Sequence, residues 1–506
     1  MGWRQWKSRF ETIKPDESHF IVGVDLGEDT SALAFYNVLR KQPELMDLSG
    51  GYGRASVPTM MQYVPGAGEW IFGEYAALNK GSGTEATLER MVGRLGLREQ
   101  ADLGGRRISV AAVLGFYLKS LVAGLKNINP NSELAGIVAC APALLADEAK
   151  TELSWAFRSA GLDGDLVMFA PDWECALQRY AFGRGFSKER VMILDYAARE
   201  LRGGVFSLGP QKDGVEAAAE SWMGNADLSS HAIDERLKDM FLEFFPNTAD
   251  RSKSAGLDSF LYQQKDMLLQ KRSWQKPAKL FYSTMYPPVQ ITVTQAKMED
   301  ALSPFKAAFQ KFAKAVAKSG PVDALICVGG GFEMQWAREA AKEFSPQAIF
   351  FKHSKGALAE GASLICAGQL GVFPMTAISL RDDLRARFDI GLGVMQGGKQ
   401  VFHPVVQQGD YWPDGGASVY LIVNQPVSGT LSVPVYKRDA GGATNTIGAL
   451  NLDGLPTRPK GATKLKIRFE VSTKGGQLGL RAEAVDMGFA EYPRTGAAGA
   501  MEAVLA

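Results

Sequence analysis

Two aspartates carry the first chemistry this sequence can be read for. Asp25 closes the apolar run Phe20–Val24 and is followed by Leu26-Gly27, and a second apolar run, Ala32–Val38, comes next. An apolar run closed by an acid and a glycine is a hairpin signal. Such a turn can point backbone N–H groups at an anion while its carboxylate holds a metal-bound water. Alone, Asp-x-Gly between strands is more often a plain surface hairpin. A second copy alters that balance: Val191-Met-Ile-Leu-Asp195, a turn, then Gly203-Gly-Val-Phe-Ser-Leu208 repeats strand, aspartate, turn and strand. Two such units predict a duplicated α/β domain with a cleft between its halves. A third candidate is Gly329-Gly330-Gly331, between an apolar strand, Asp323–Val328, and a helix, Met334–Phe344. Strand, glycine loop and helix N-terminus together make a seat for a nucleotide, although three glycines serve equally as a plain strand-to-helix connection.

The elements that must position these residues follow from hydrophobic periodicity. Helices are expected over Ala111–Leu125, Asp147–Ala160 (stopped by Gly161), Trp173–Phe182, Ile233–Phe245 and Lys355–Leu370, with a buried strand at Leu134–Ala141. Ser303-Pro304 reads as the cap and start of a further helix whose inner face is Phe305, Phe309, Phe312 and Val316. Lobe I is placed at about 19–190 and lobe II at about 191–373, with 211–320 taken as a helix-rich insertion. Past Phe373 the composition turns to strand and turn. Lys464–Val471 alternates without a break, as do Leu431, Val433 and Val435, and Leu478, Leu480, Ala482 and Ala484. That pattern predicts a half-buried antiparallel sandwich over 388–506. Residues 374–387, chiefly Thr376–Arg387, form the expected linker. At the other end, residues 1–18 set Trp3, Trp6 and Phe10 among Arg4, Lys7 and Arg9. That stripe suits membrane-surface docking or, over about three turns, packing against the main body.

Composition removes several classes. The 506 residues are 46% hydrophobic and 22% charged, a globular mix with sizeable cores. The net charge of +1 comes without a long basic run, which disfavours nucleic acid as partner. Cys140, Cys175, Cys327 and Cys366 are isolated and show no metal or disulfide spacing. With 4 histidines in the chain and none beside a candidate nucleophile, a histidine-based triad or metal site is not expected. No run approaches the length of a transmembrane helix and no signal-peptide core opens the chain, so a cytoplasmic location is expected.

With both aspartate hairpins, the glycine turn and the sandwich in place, the chain resembles the seventy-kilodalton heat-shock chaperone family, part of the actin and sugar-kinase ATPase superfamily. The similarity runs from about residue 20 to 486. It is most specific in Ile447-Gly-Ala-Leu-Asn-Leu-Asp-Gly-Leu-Pro, Lys464-Leu-Lys-Ile-Arg-Phe-Glu-Val and Leu478-Gly-Leu-Arg-Ala-Glu-Ala. Val293–Asp300, Cys327–Gly331 and Ala359-Glu-Gly-Ala fall where the family's ATPase lobe would put them. The resemblance implies actin-like α/β lobes followed by an all-β peptide-binding sandwich. It implies ATP or ADP with magnesium in the cleft, Asp25 and Asp195 as catalytic residues holding the metal through water, and Gly27, Lys265, Gly329, Gly330 and Gly331 at the nucleotide. An extended apolar peptide or unfolded protein is the implied partner, in a pocket lined by Val394, Leu421, Leu431 and Val433. The plainer reading of those four is ordinary sandwich core. The family's helical lid has no counterpart in the sequence, so a lidless member is expected.

The departures gather in the cleft. Glu28 and Asp29 stand where family members carry small hydroxyl residues, and Asp195-Tyr-Ala-Ala-Arg-Glu200 replaces a glycine-rich phosphate turn. Glu89 stands for the lysine that would reach the transferred phosphate, Ala170 for an acid before Pro171, and Ser229-Ser230 for a glycine pair. Phosphoryl transfer rests on positioning and cationic stabilisation, and a carboxylate about 4 Å from a phosphate oxygen is repelled by roughly 4 kcal/mol at an effective dielectric near 20. Arg199, or a divalent ion on Glu28 and Asp29, is the available compensation. The expectation is a chaperone-like protein with very weak ATPase or none, in which nucleotide binding is lost or reduced. The alternative is an active ATP-dependent chaperone with a rearranged phosphate site.

Overall fold

The computed structural model describes residues 15–505 apart from 49–53, 81–85, 104, 106, 142–146, 163–165, 213, 246–255, 271–273, 275, 284–287, 318–319, 382–385, 387, 397–398, 409–416, 439–441, 475–476 and 490. The aromatic stripe of Trp3, Trp6 and Phe10 therefore lies outside the described residues. The chain divides into two compact units, Met1–Leu380 and Arg381–Ala506.

Lobe I of the first unit is built from β1 (His19–Leu26), β2 (Thr30–Asn37), β3 (Gln42–Leu45), α1 (Val110–Ala123), β4 (Glu133–Ala141), α2 (Asp147–Ser159), β5 (Val167–Pro171) and α3 (Asp172–Ala181). Its sheet runs β5-β4-β1-β2-β3, with β4 and β5 parallel to β1, and β2 returning antiparallel. β1 is buried from Phe20 to Leu26, as a continuous apolar run in a central strand requires. The stretch Val110–Ile128 has the length and hydropathy of a membrane span. It is nonetheless a core helix, with Val113, Leu114, Tyr117, Leu118 and Leu121 buried in the lobe I core.

Lobe II continues with β6 (Glu189–Tyr196), β7 (Leu201–Gln211), β8 (Gly214–Asn225), α4 (Ser230–Leu242), α5 (Leu257–Leu269), β9 (Ala278–Tyr282), β10 (Val289–Val293), α6 (Gln295–Ala317), β11 (Ala324–Val328), α7 (Gln335–Phe344) and β12 (Ala348–Phe350), then α8 (Ala357–Gln369) and β13 (Ile378–Arg381). Its sheet, β12-β11-β6-β7-β8-β13, repeats the plan of lobe I: an aspartate-bearing hairpin flanked on one side by two parallel strands. The duplicated α/β architecture is thus present.

Three expectations need correction. Gln211 ends β7 and Gly214–Asn225 form β8, so both belong to the sheet; the alanine-rich sequence suggests helix, but burial alternates at Val215, Ala217, Ala219 and Ser221. The region also holds a β9–β10 hairpin. The helix assigned to start at Ser303 begins at Gln295 and carries Pro304 inside it; the Asp300 carbonyl, which a proline cannot reach, takes the Ser303 hydroxyl at 3.3 Å. Finally, the first part of the linker is a strand. Ala377 O accepts from Val215 N–H at 2.9 Å and Ile378 is buried, so apolar burial and an open sheet edge fix it on β8.

α8 returns to lobe I and lies directly on β1 and α3. A Cβ on Gly23 would fall 2.1 Å from Ala359 O, and one on Gly361 1.9 Å from Cys175 O, so glycine is required at both crossings.

The second unit is antiparallel throughout. β14 (Asp389–Gln396), β15 (Lys399–Val406), β16 (Ala417–Ile422), β17 (Val427–Arg438), β18 (Thr444–Arg458), β19 (Lys464–Lys474), β20 (Gln477–Asp486) and β21 (Ala498–Val504) form two sheets, β15-β14-β17-β18 and β16-β19-β20-β21. Ile390, Leu392, Val435, Leu450, Leu452, Ile467 and Phe469 fill the space between them. Within that core Arg458 meets Asp486 through two bonds of 2.8 and 2.9 Å, both side chains out of solvent.

Candidate functional site

Asp25 and Asp195 stand at the carboxyl ends of the central strands of the two lobes, the end at which open α/β sheets place ligands. A cavity of about 1260 Å³ opens there, lined among others by Asp25, Gly27, Asp195, Lys265, Gly329, Gly330 and Gly331. The cavity is also lined by Glu28, Asp29, Glu89, Arg199 and Ser230, whereas Ala170 and Ser229 are not among its lining residues.

Each aspartate already has a cation. Lys355, just before α8, puts its Nζ 2.6 Å from Asp25 Oδ2. Arg202 on β7 donates to Asp195 and reaches Asp172 Oδ2 at 3.0 Å, so it ties the lobe II strand to the first residue of α3 in lobe I. Burial pushes the Asp25 carboxyl above its ordinary pKa; Lys355 pulls it back, the charge of Asp195 adds to the rise, and the net direction is up. For Arg202, burial acts downward, but Asp195, Asp172 and Glu200 outweigh it and hold the guanidinium charged.

Further bonds cross the cleft. Asp29 Oδ1 lies 2.6 Å from His231 Nε2 at the start of α4. Burial raises the Asp29 carboxyl, yet His231, with Lys265 and Arg90, brings it below the usual carboxylate range. Glu28 accepts from Gly93 N–H while Arg199 donates to Gly93 O at 3.4 Å, and burial leaves Glu28 with a raised pKa despite Arg199. At the upper rim Tyr262 OH donates to Glu74 at 3.2 Å and Ser259 Oγ to Lys80 O at 2.5 Å. Lys265 pairs with Asp234 at 2.8 Å, and Glu89 with Lys80 at 2.7 Å.

The loops expected to cradle phosphate meet protein. A Cβ on Gly27 would lie 2.6 Å from Lys355 Nζ, one on Gly329 2.4 Å from Asp195 Oδ1, and one on Gly331 2.3 Å from the Tyr196 ring. Gly329 N–H donates to Ser354 O, Ala197 N–H to Glu200 O and His231 N–H to Ala198 O. Among the described residues no group of three or more metal-ligating side chains is present.

Sequence reasoning passed over Lys355, Arg202, Asp172 and His231. Arg202 was within reach, since the hairpin register sets it directly opposite Asp195. In the sandwich, Leu431 and Val433 are buried in the core, and Val394 and Leu421 are partly buried against it. Asn424, beyond β16, is exposed.

Two lobes of one repeated plan around a cleft, followed by an antiparallel sandwich, define the class: the actin-like α/β and sandwich architecture of the seventy-kilodalton heat-shock chaperones. The chain is a distant homologue of the DnaK chaperones. It is 22% identical to the chaperone protein DnaK of Cenarchaeum symbiosum over 494 residues, covering 90% of this chain and 70% of that one. The DnaK of Thermosipho melanesiensis is 21% identical over 91% of this chain and 77% of its own length, and that of Thermotoga maritima 22% identical over 91% and 78%. A family model described as a domain of unknown function (DUF8552) matches residues 385–500, the sandwich.

Proposed function

We propose that this chain is a DnaK-like chaperone that holds an extended apolar segment in its sandwich unit without an ATP-driven cycle. The observation that carries the reading is the pairing of both cleft aspartates with side-chain cations, Lys355 on Asp25 and Arg202 on Asp195. Magnesium needs near-octahedral oxygen ligands, usually one or two carboxylates with waters. Carboxylates turned to an ammonium and a guanidinium offer no such shell, and a divalent ion about 4 Å from either cation meets roughly 8 kcal/mol of repulsion at an effective dielectric of 20. Asp25, Asp172 and Asp195 still outnumber Lys355 and Arg202, so a polyphosphate arriving without metal is repelled as well. These residues do not fit a magnesium nucleotide, and no catalytic step is assigned to them.

Distant homology and the all-antiparallel sandwich support peptide holding. Val394 and Leu421, partly buried, would form the accessible walls of the groove, with Leu431 and Val433 beneath them. Calorimetric titration with ATP, with and without magnesium, is expected to give no saturable heat, and a labelled leucine-rich heptapeptide is expected to bind equally with and without ATP. Saturable magnesium-ATP binding with turnover would overturn the reading. It would favour an active chaperone with a rearranged phosphate site, for which Arg199 at the cleft and the 1260 Å³ of open volume are the supporting observations.

A further inference from the structure

We infer that the outer face of the sheet β16-β19-β20-β21 docks an acidic amphipathic helix of a partner protein. Cross-strand register builds that face in rows. Lys466 of β19 stands between Tyr420 of β16 and Val485 of β20. Lys464 stands between Ile422 and Met487, whose N–H donates to Lys464 O at 2.8 Å. Two lysines thus form a column with an apolar column on each side. The four apolar side chains are from 37% to 55% exposed, while Leu421, Leu465, Ile467 and Ala484 on the same strands pack on the core. The face is therefore separate from the groove walls Val394 and Leu421.

Further along the same face the charges are neutralised from within: Arg468 pairs with Glu470 at 2.6 Å and Arg481 with Glu483 at 2.5 Å. Lys464 and Lys466 have no carboxylate partner among the described residues; Lys464 lies over the Tyr420 ring, 4.8 Å from its centroid. Cations set between exposed apolar side chains suit a partner that brings acid to the centre and apolar groups to both flanks. Bilayer docking asks for the reverse, with apolar side chains entering the acyl boundary and cations around them at headgroup level. Three adjacent strands span about 10 Å, the width of one α-helix, about 10–12 Å. Lys464 and Lys466 are about 7 Å apart along their strand, close to the rise of about 6 Å between acids four residues apart on a helix. A helix laid along β19 sets two acids over the lysines and its apolar flanks over Tyr420 with Ile422 and Val485 with Met487.

The probe is a stapled helical peptide with two glutamates four residues apart and leucines on both sides of them, titrated into the full chain by fluorescence anisotropy. It is expected to bind the native chain with an affinity that falls as salt is raised. Lys464→Glu with Lys466→Glu should weaken that binding at least about tenfold, and leave the binding of a leucine-rich heptapeptide unchanged. The same stapled peptide with lysines for glutamates should bind this variant and not the native chain. Tyr420→Ser with Met487→Ser should weaken the acidic peptide as well, which bare charge attraction would not produce. If the glutamate variant does not fold, Lys464→Gln with Lys466→Gln takes its place and must also lose affinity. Three results overturn the proposal: no binding of the acidic peptide to the native chain, equal binding to native and lysine variants, or lysine-dependent binding of phosphatidylserine vesicles without binding of the peptide. The groove reading fails separately, by absence of heptapeptide binding to the native chain, whatever this face does.

Discussion

The Lys355 ammonium lies 2.6 Å from the Asp25 carboxylate, with side-chain exposures of 13% and 9%. The two residues are 330 positions apart, so the pair fastens the last stretch of the first unit to its first strand. Removing one partner of a buried pair leaves an uncompensated charge and costs about 3–5 kcal/mol. Lys355→Ala is expected to lose that much in urea unfolding of the full chain, and Asp25→Asn added to it should recover part of the loss. A loss under about 1 kcal/mol, the value of an exposed pair, would show that water already screens these charges.

The sandwich separates groove from core by position. Leu431 is buried at 5% exposure, so Leu431→Asp places an unpaired charge in the core, and the unit should lose several kcal/mol and unfold. Leu421→Ser, at a partly buried wall, is expected to leave the melting temperature within about 4–8 °C of native, a change of about 1 kcal/mol. It should weaken heptapeptide binding about tenfold, the equivalent of about 1.4 kcal/mol. Unchanged peptide affinity in the Leu421 variant would remove this end of the sheet from the binding surface.

Asp486 makes the sandwich acid-sensitive in a defined direction. Burial raises its carboxyl, but Arg458, Thr495 and the Gly488 N–H overcome that and hold it far below the usual carboxylate range. With the folded value below the unfolded one of about 3.9, the pair's contribution is complete above that pH and is lost as pH falls below it. In Arg458→Met the buried carboxylate loses its charge partner and keeps only the Thr495 and Gly488 hydrogen bonds, so its folded pKa moves up. The variant should be weaker by about 3–5 kcal/mol at pH 7, with a deficit that shrinks on acidification toward about pH 4. Denaturation curves at several pH values check this, and a deficit constant with pH would rule it out.

The strand Ile378–Leu380 depends on a close approach at Gly214, whose φ is +152° and where a Cβ would fall 2.4 Å from Ala377 O. Gly214→Val should release the strand, raise proteolytic cleavage within Thr376–Arg387 and leave global unfolding nearly unchanged. ATP should not alter the cleavage rate in the native chain. A clear nucleotide-dependent change there would restore the ATP-driven account.

What could be read in the sequence depended on how far a signal reached along the chain. Both aspartate hairpins were legible because strand, acid and turn are contiguous, and the two lobes followed from their repetition. Arg202 was legible in principle, since its place opposite Asp195 follows from register within one hairpin. Lys355 was not, because nothing local links it to Asp25. β8 was misread because its alanines carry helix propensity, whereas the alternation of Val215, Ala217, Ala219 and Ser221 reflects the sheet beneath. For Leu431 and Val433 the period of two fixed a shared face but could not tell a core from a groove.

The seat of α8 on Gly23 bears on how the chain is made. β1 emerges from the ribosome early, but the helix that covers it follows only after α7, roughly 20–70 s later at about 5–20 residues per second. During that interval the apolar face of the first sheet has no helix to lie on Gly23, and the parallel pairing of β1 with β4 is likewise delayed. Lobe I cannot be completed in the order in which it is translated. A chain stopped before Ala357 should therefore aggregate rather than fold.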